Sequence, residues 1–129
     1  MPQSAEKKQA ILLLNCDLGE LDEGDCRVER TVMPLIDLAN IACGFHAGNA
    51  QMMSKTLAIA KAHNVTVGAH PGYNDRENFG RTSTHHTPEQ LTALLHYQIS
   101  ALQGMAQTQG IPVDYVKPHG ALYNDMMAN

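Results

Sequence analysis

The stretch Ala39-Asn-Ile-Ala-Cys-Gly-Phe-His-Ala-Gly-Asn49 sets the pattern of the chain. It starts as an apolar strand, breaks at Gly44, presents His46 at the break, breaks again at Gly48 and offers Asn49 as the cap of a following helix. A side chain at such a junction is exposed on a rigid support. Three further stretches share the form: Leu12-Leu-Leu-Asn15-Cys-Asp17, Val65-Thr-Val-Gly-Ala-His70 and Tyr115-Val-Lys117-Pro-His119. Each is an apolar run that stops at a polar side chain able to do chemistry.

Working outward, Ala10 to Asn15 reads as a first strand and Cys16 to Asp25 as an acidic, glycine-containing loop. A helix is expected from Cys26 to about Met33, with Pro34 ending it or opening a second turn. Ile36 to Cys43 is the second strand, and Asn49 or Ala50 to His63 a helix with Met53, Leu57 and Ala60 on one face. Val65 to Ala69 is the third strand. Pro71, Gly72, Asn74, Asn78 and Gly80 then mark a long loop of the kind that carries function. Thr87-Pro88-Glu89-Gln90 is a helix start, with Thr87 as cap, Pro88 at the first helical position and Gln90 closing a capping box. Leu91, Leu94 or Leu95, Gln98, Leu102 and Met105 follow on one face. Val113 to Val116 is the fourth strand, and a last helix begins near Ala121.

Buried strands alternating with amphipathic helices predict an α/β fold with a parallel sheet, either open or part of a barrel. In both, ligands sit at the carboxyl ends of the strands. Asp17, His46, His70, Lys117 and His119 all fall there.

Composition agrees with a folded domain. The 129 residues are 43% hydrophobic and 17% charged, and a chain of this size buries roughly two thirds of its unfolded surface. A net charge of −4 with no basic cluster beyond Lys7-Lys8 gives nucleic acid little to hold. The apolar run Ile11–Leu14 is too short for a signal-peptide core or a membrane span, so a cytoplasmic location is expected. Cys16, Cys26 and Cys43 lack Cys-x-x-Cys spacing and read as reduced structural thiols. The sequence holds no P-loop, no dinucleotide fingerprint and no Gly-x-Ser-x-Gly elbow.

The candidate chemistry rests on three groups. Asn15, Asp17 and Glu20 offer a general base or a metal carboxylate, against the ordinary use of Asp in turns and Glu near helix starts. His46 and His70 can ligate a metal, polarise a carbonyl or move protons, or can simply be satisfied near a strand end. With Asp17 they form a candidate divalent-metal set. Lys117 and His119 flank Pro118 and suit an oxyanion and a proton transfer. In the long loop, Arg76 and Arg81 are candidate clamps for a substrate carboxylate, unless one pairs with Asp75 or Glu77. His85, His86 and His96 are expected to be bystanders.

Leu14-Asn-Cys-Asp-Leu-Gly-Glu20, Ala39–Asn49, the run from Val67 to Arg81 and Val116-Lys-Pro-His-Gly-Ala-Leu-Tyr-Asn124 together closely resemble the LamB/YcsF family. Asn49 stands where that family usually has Asp. The resemblance implies a parallel (β/α) barrel of the glycoside hydrolase/deacetylase type. Such a barrel takes about 250 residues, so the chain is expected to be an incomplete half-barrel of about four β-α units. Residues 1–9 would be a flexible leader and residues 10–129 the partial barrel. Its open edges would favour self-association.

The activity implied is ATP-dependent opening of the lactam 5-oxoproline to L-glutamate, together with partner B and C subunits. Lys117 would then hold the negative oxygen, Asp17 or His46 would activate water, and His70 and His119 would orient or relay protons. Arg81 would hold the substrate carboxylate, with Asn15, Glu20, Asn49 and Arg76 also lining the substrate. With no P-loop, ATP would bind through partners or an unfamiliar site. Two alternatives are a metal-dependent amide or sugar deacetylase and a non-catalytic binding fragment.

Overall fold

A computed structural model describes residues 10–21 and 24–128, so the expected leader lies outside the described residues. Four parallel strands, β1 (Asn15–Leu18), β2 (Leu38–Ala42), β3 (Thr66–His70) and β4 (Val113–Val116), pair in the order β1-β2-β3-β4. Parallel neighbours need crossovers. These carry the helices α1 (Arg27–Val32), α2 (Ala50–Ala62) and α3 (Pro88–Thr108), and α4 (Gly120–Ala128) follows β4. The order advances without reversing, as in a barrel wall, whereas a doubly wound sheet reverses at a switch point. The fold is α/β with a parallel four-stranded sheet, consistent with a partial barrel.

Alternation along each strand gives the sheet two different faces. Leu18, Ala39, Ile41, Val67 and Ala69 share one face with Met53, Leu57 and Ala60 of α2 and Leu102 and Ala106 of α3 in a single apolar cluster. Each large side chain fully buried there contributes about 1.5–3 kcal/mol. The opposite face is polar. Its register sets Asp17 beside Asn40, Asn40 beside Gly68 and Gly68 beside Tyr115, a row across all four strands.

That polar face corrects the strand boundaries. Ala10 to Leu14 is not a strand; Ile11 and Leu12 are more than 80% exposed, and pairing begins at Asn15. The polar residues expected at the strand's end belong inside it, because Asn15 and Asp17 face away from the core while Cys16 and Leu18 face into it. His70 likewise closes β3 as a ladder residue. The first helix is one residue shorter at each end than expected and runs into a 3-10 turn at Met33–Leu35 that accommodates Pro34.

The caps follow the sequence. Asn49 accepts from the Met52 amide at 2.9 Å, and Thr87 and Gln90 close the expected capping box. On α3 the buried line is Gln98, Leu102 and Ala106. Leu91, Leu94 and Leu95 instead pack on a second cluster of Tyr73, Ala121 and Leu122.

Candidate active site

The strand ends converge as expected, and each polar group is held from behind. After β1 the chain turns at Gly19, whose amide donates to the buried Glu29 carboxylate of α1 at 3.1 Å. This presents Glu20 inward. After β2, His46 is buried with its Nε2 2.7 Å from Glu20 Oε2. The loop after β3 lies over it, held by Gln98 of α3, which accepts from the Gly72 amide at 3.0 Å and donates to the Gly72 carbonyl at 2.9 Å. A Cβ at Gly72 would stand 2.6 Å from His46 Nδ1, and one at Gly80 would stand 2.7 Å from His46 Cβ. Glycine at both places lets backbone lie directly on the ring.

Three histidine rings meet there. His46 and His119 stack with centroids 3.7 Å apart and planes 7° apart. His70 stands edge-on to both, at 89° and 85°. His70 Nδ1 contacts the Lys117 carbonyl at 2.6 Å, and His119 Nε2 contacts the Phe79 carbonyl at 2.7 Å. The ring nitrogens that remain, His70 Nε2 and His119 Nδ1, are 3.0 Å apart. Glu20 Oε2 lies 3.6 Å from each. Burial lowers the His119 pKa, as do the neighbouring His46 and His70, with the Phe79 carbonyl and Glu20 opposing.

The structure therefore holds a possible metal-binding cluster of Glu20, His46, His70 and His119, whose ligand atoms all lie within 4.8 Å of one another. It differs from the set expected from sequence. Glu20 supplies the carboxylate and His119 joins, while Asp17 stands to one side, 3.4 Å from His70 Nε2.

Asp17 pairs instead with Lys117, Oδ1 to Nζ at 3.0 Å, at the more open part of the face. Asn40 Nδ2 donates to Asp17 Oδ1 at 3.0 Å and to Asn15 Oδ1 at 2.8 Å, and the Tyr115 hydroxyl donates to Asn40 Oδ1. The His70 ring, with Asn40 and Lys117, holds the Asp17 carboxyl well below the usual carboxylate range against the opposing effect of burial. Burial and the Asp17 charge push the Tyr115 phenol up to about 12, so it remains a donor. Asn40 and Tyr115 were not among the candidate site residues read from sequence, and Gln98 was read only as an inward position of its helix.

The two arginines differ. Arg76 Nη2 donates to the Gly44 carbonyl at 2.9 Å and also to the Gly48 carbonyl, which commits it to bracing the His46 loop. Arg81 is exposed and stacks its guanidinium on Phe79 at 5.3 Å. Asn49 serves as a helix cap and Asn15 as a partner of Asn40. His85, His86 and His96 are exposed. Cys16, Cys26 and Cys43 are free, and burial pushes the Cys43 thiol up to about 12. Among the described residues no helix is long and apolar enough to cross a membrane.

A carboxylate–ammonium pair beside a buried imidazole cluster suits attack on a carbonyl: a positive group for the developing oxyanion and anionic or imidazole groups for water. The LamB/YcsF family profile matches residues 12–129. The A subunit of a 5-oxoprolinase from Pseudomonas fluorescens (strain Pf0-1) is 56% identical over 119 residues, 92% of this chain and 48% of that protein. The lactam utilization protein lamB of Emericella nidulans is 50% identical over 93% of this chain and 47% of its own length. The crystal structure of a lactam utilization protein from Thermus thermophilus superposes with a TM-score of 0.82 at 43% identity, covering 88% of this chain and 47% of that one. The chain spans about half the length of the curated relatives it matches.

Proposed function

The chain belongs to the LamB/YcsF family, and from that premise we propose that it supplies part of the lactam-opening site of an ATP-dependent 5-oxoprolinase. The substrate is 5-oxoproline, the product L-glutamate, and the partners are B and C subunits of the same enzyme. Relatives named as the A component of a 5-oxoprolinase support this assembly. The observation that carries the reading is the Asp17–Lys117 pair at 3.0 Å, set at the carboxyl end of the sheet and partly open to solvent.

An amide carbonyl is a poor electrophile. ATP would supply the activation when bound, its γ-phosphoryl group passing to the ring carbonyl oxygen with release of ADP; water then adds to that carbon, the ring C–N bond opens and phosphate leaves, and the nucleotide would be held by partners or by an unfamiliar part of the assembly. The residues of this chain do the rest. Lys117 neutralises charge on the substrate oxygen, Arg81 meets the substrate carboxylate, and Asp17 orients the attacking water. Asp17 suits that role better than His46, whose ring is sealed against Glu20 while Asp17 keeps about a third of its side chain exposed. The His70 ring, with Asn40 and Lys117, keeps Asp17 ionised, so that it accepts a hydrogen bond from the water it orients. His70 stands behind Asp17 and orients it, its Nε2 3.4 Å from Asp17 Oδ2, and His119 backs His70.

A second reading, a metal-dependent amide or sugar deacetylase, draws on the Glu20–histidine cluster. The assay that separates them combines the chain, extended to the full length of its relatives, with B and C subunits and follows glutamate and ADP. Glutamate release that requires ATP supports the lactam reading; ATP-independent deacylation of an acetylated sugar or amide would replace it.

The assembly is placed in the cytoplasm and away from nucleic acid.

A further inference from the structure

We propose that Glu20, His70 and His119 form a three-ligand site for one divalent first-row transition ion of the zinc class, and that His46 is not a ligand but the residue that positions Glu20. The hydrogen bonds fix the ring tautomers. A carbonyl oxygen only accepts, so His70 carries its hydrogen on Nδ1 toward Lys117 and His119 carries its hydrogen on Nε2 toward Phe79. Each ring is thereby turned to aim the lone pair of its other nitrogen inward. Those nitrogens, His70 Nε2 and His119 Nδ1, are 3.0 Å apart. Two lone pairs at that distance repel unless a positive centre lies between them.

Glu20 Oε2 completes a triangle, 3.6 Å from each nitrogen. For metal–ligand bonds of about 2.1 Å the edge of a tetrahedral site is about 3.4 Å, so sides of 3.0, 3.6 and 3.6 Å describe one face of such a site. A proton would satisfy one pair of these atoms; a cation satisfies all three. Ligating histidines usually donate their second ring hydrogen to a backbone carbonyl or carboxylate, as both do here. Two imidazoles and a carboxylate select zinc-class ions over magnesium or calcium, which prefer oxygen. Three protein ligands leave a coordination position open, as catalytic metal sites do.

His46 is excluded by its orientation. Its ring lies parallel to His119 at 3.7 Å. Imidazole lone pairs lie in the ring plane, so two rings stacked this closely cannot both point at one ion. Its Nε2 is instead at hydrogen-bond distance, 2.7 Å, from Glu20 Oε2. With the hydrogen on Nε2, the buried Nδ1, which has no partner among the described residues, is a bare acceptor and strands no N–H. Asp17 Oδ2 lies 3.4 Å from His70 Nε2, but the ligand atoms that gather within 4.8 Å of one another are those of Glu20 and the histidines and not of Asp17, whose Oδ1 pairs with Lys117.

The lactam reading does not require this site, so the test reads metal and not turnover, and either can fail alone. The full chain is stripped with chelator, incubated with Zn2+ or Co2+ in the presence of excess Mg2+, desalted and analysed for metal, with the visible spectrum of the Co2+ form and circular dichroism as a check on folding. About one equivalent per chain is expected, unchanged in Asp17→Asn. Glu20→Gln, His70→Gln and His119→Gln should each retain less than a tenth of that while folded. His46→Gln should still fill at saturating metal, with an affinity weakened about 10–100-fold. The proposal is overturned if the folded unsubstituted chain takes up no metal, if Mg2+ displaces it, or if His46→Gln abolishes binding while His119→Gln keeps it. Should the glutamine variants unfold, protection of the unsubstituted chain's His70 and His119 from diethyl pyrocarbonate by Zn2+ but not Mg2+ decides the same question, and equal modification in both counts against the site.

Discussion

Gly68 has no side chain because Tyr115 occupies the space one would need. A Cβ at Gly68 would come within 2.2 Å of the Tyr115 ring. The ring crosses there so that its hydroxyl reaches Asn40, which in turn holds Asp17. Gly68→Ala should therefore overpack the polar face and cost about 1–3 kcal/mol in denaturant unfolding. The loss should be partly recovered in the Gly68→Ala, Tyr115→Ala double variant, since residues in contact are not additive. Simple additivity of the two losses would show that the ring does not sit on Gly68. This row was half legible in the sequence. Asp17 stood out as the polar end of an apolar run, but Asn40 and Tyr115 lie inside strands, where a search for apolar runs passes over them. The signal was the period-two alternation Ala39-Asn40-Ile41, which marks a sheet with one polar face; β4 gave no such signal, because a register shift beside Val67 and Gly68 skips Asp114 and leaves both Asp114 and Val116 exposed.

At the level of elements, α3 sets the floor of the site. Its start could be read from Thr87-Pro88-Glu89-Gln90, and the capping box is present, with the Gln90 amide donating to Thr87 Oγ1 at 3.1 Å and Gln90 Oε1 accepting from the Thr87 amide at 3.0 Å. Thr87→Ala should lower global stability by about 1 kcal/mol. Serine at the same position should restore most of it, and a loss common to both substitutions would argue against the cap. What periodicity could not give was the work of Gln98. Counted as one more inward position, it is a buried amide that clamps both backbone groups of Gly72 and lays the loop on His46. The loop's function was legible from its length and its glycines. The choice between its arginines was not, because only the folded chain brings Gly44 and Gly48 under Arg76.

For the whole molecule, a sheet that advances without reversal gathers one polar group from the end of each strand onto a single face. The four junctions were visible from residue 12 to residue 119, and with them the α/β class and the convergence of Asp17, His46, His70, Lys117 and His119. Their division of labour was not visible, since it depends on ring orientation and on which carboxylate turns inward. The structure separates a closed cluster of Glu20 and three histidines from an open pair of Asp17 and Lys117. In the proposed reaction the lactam chemistry falls to the open pair. The most direct test is the rate of ATP-linked glutamate release from 5-oxoproline by the complete assembly carrying Asp17→Asn. A fall of about 10²–10⁴-fold in kcat, with the assembly intact, is predicted; undiminished release would contradict it.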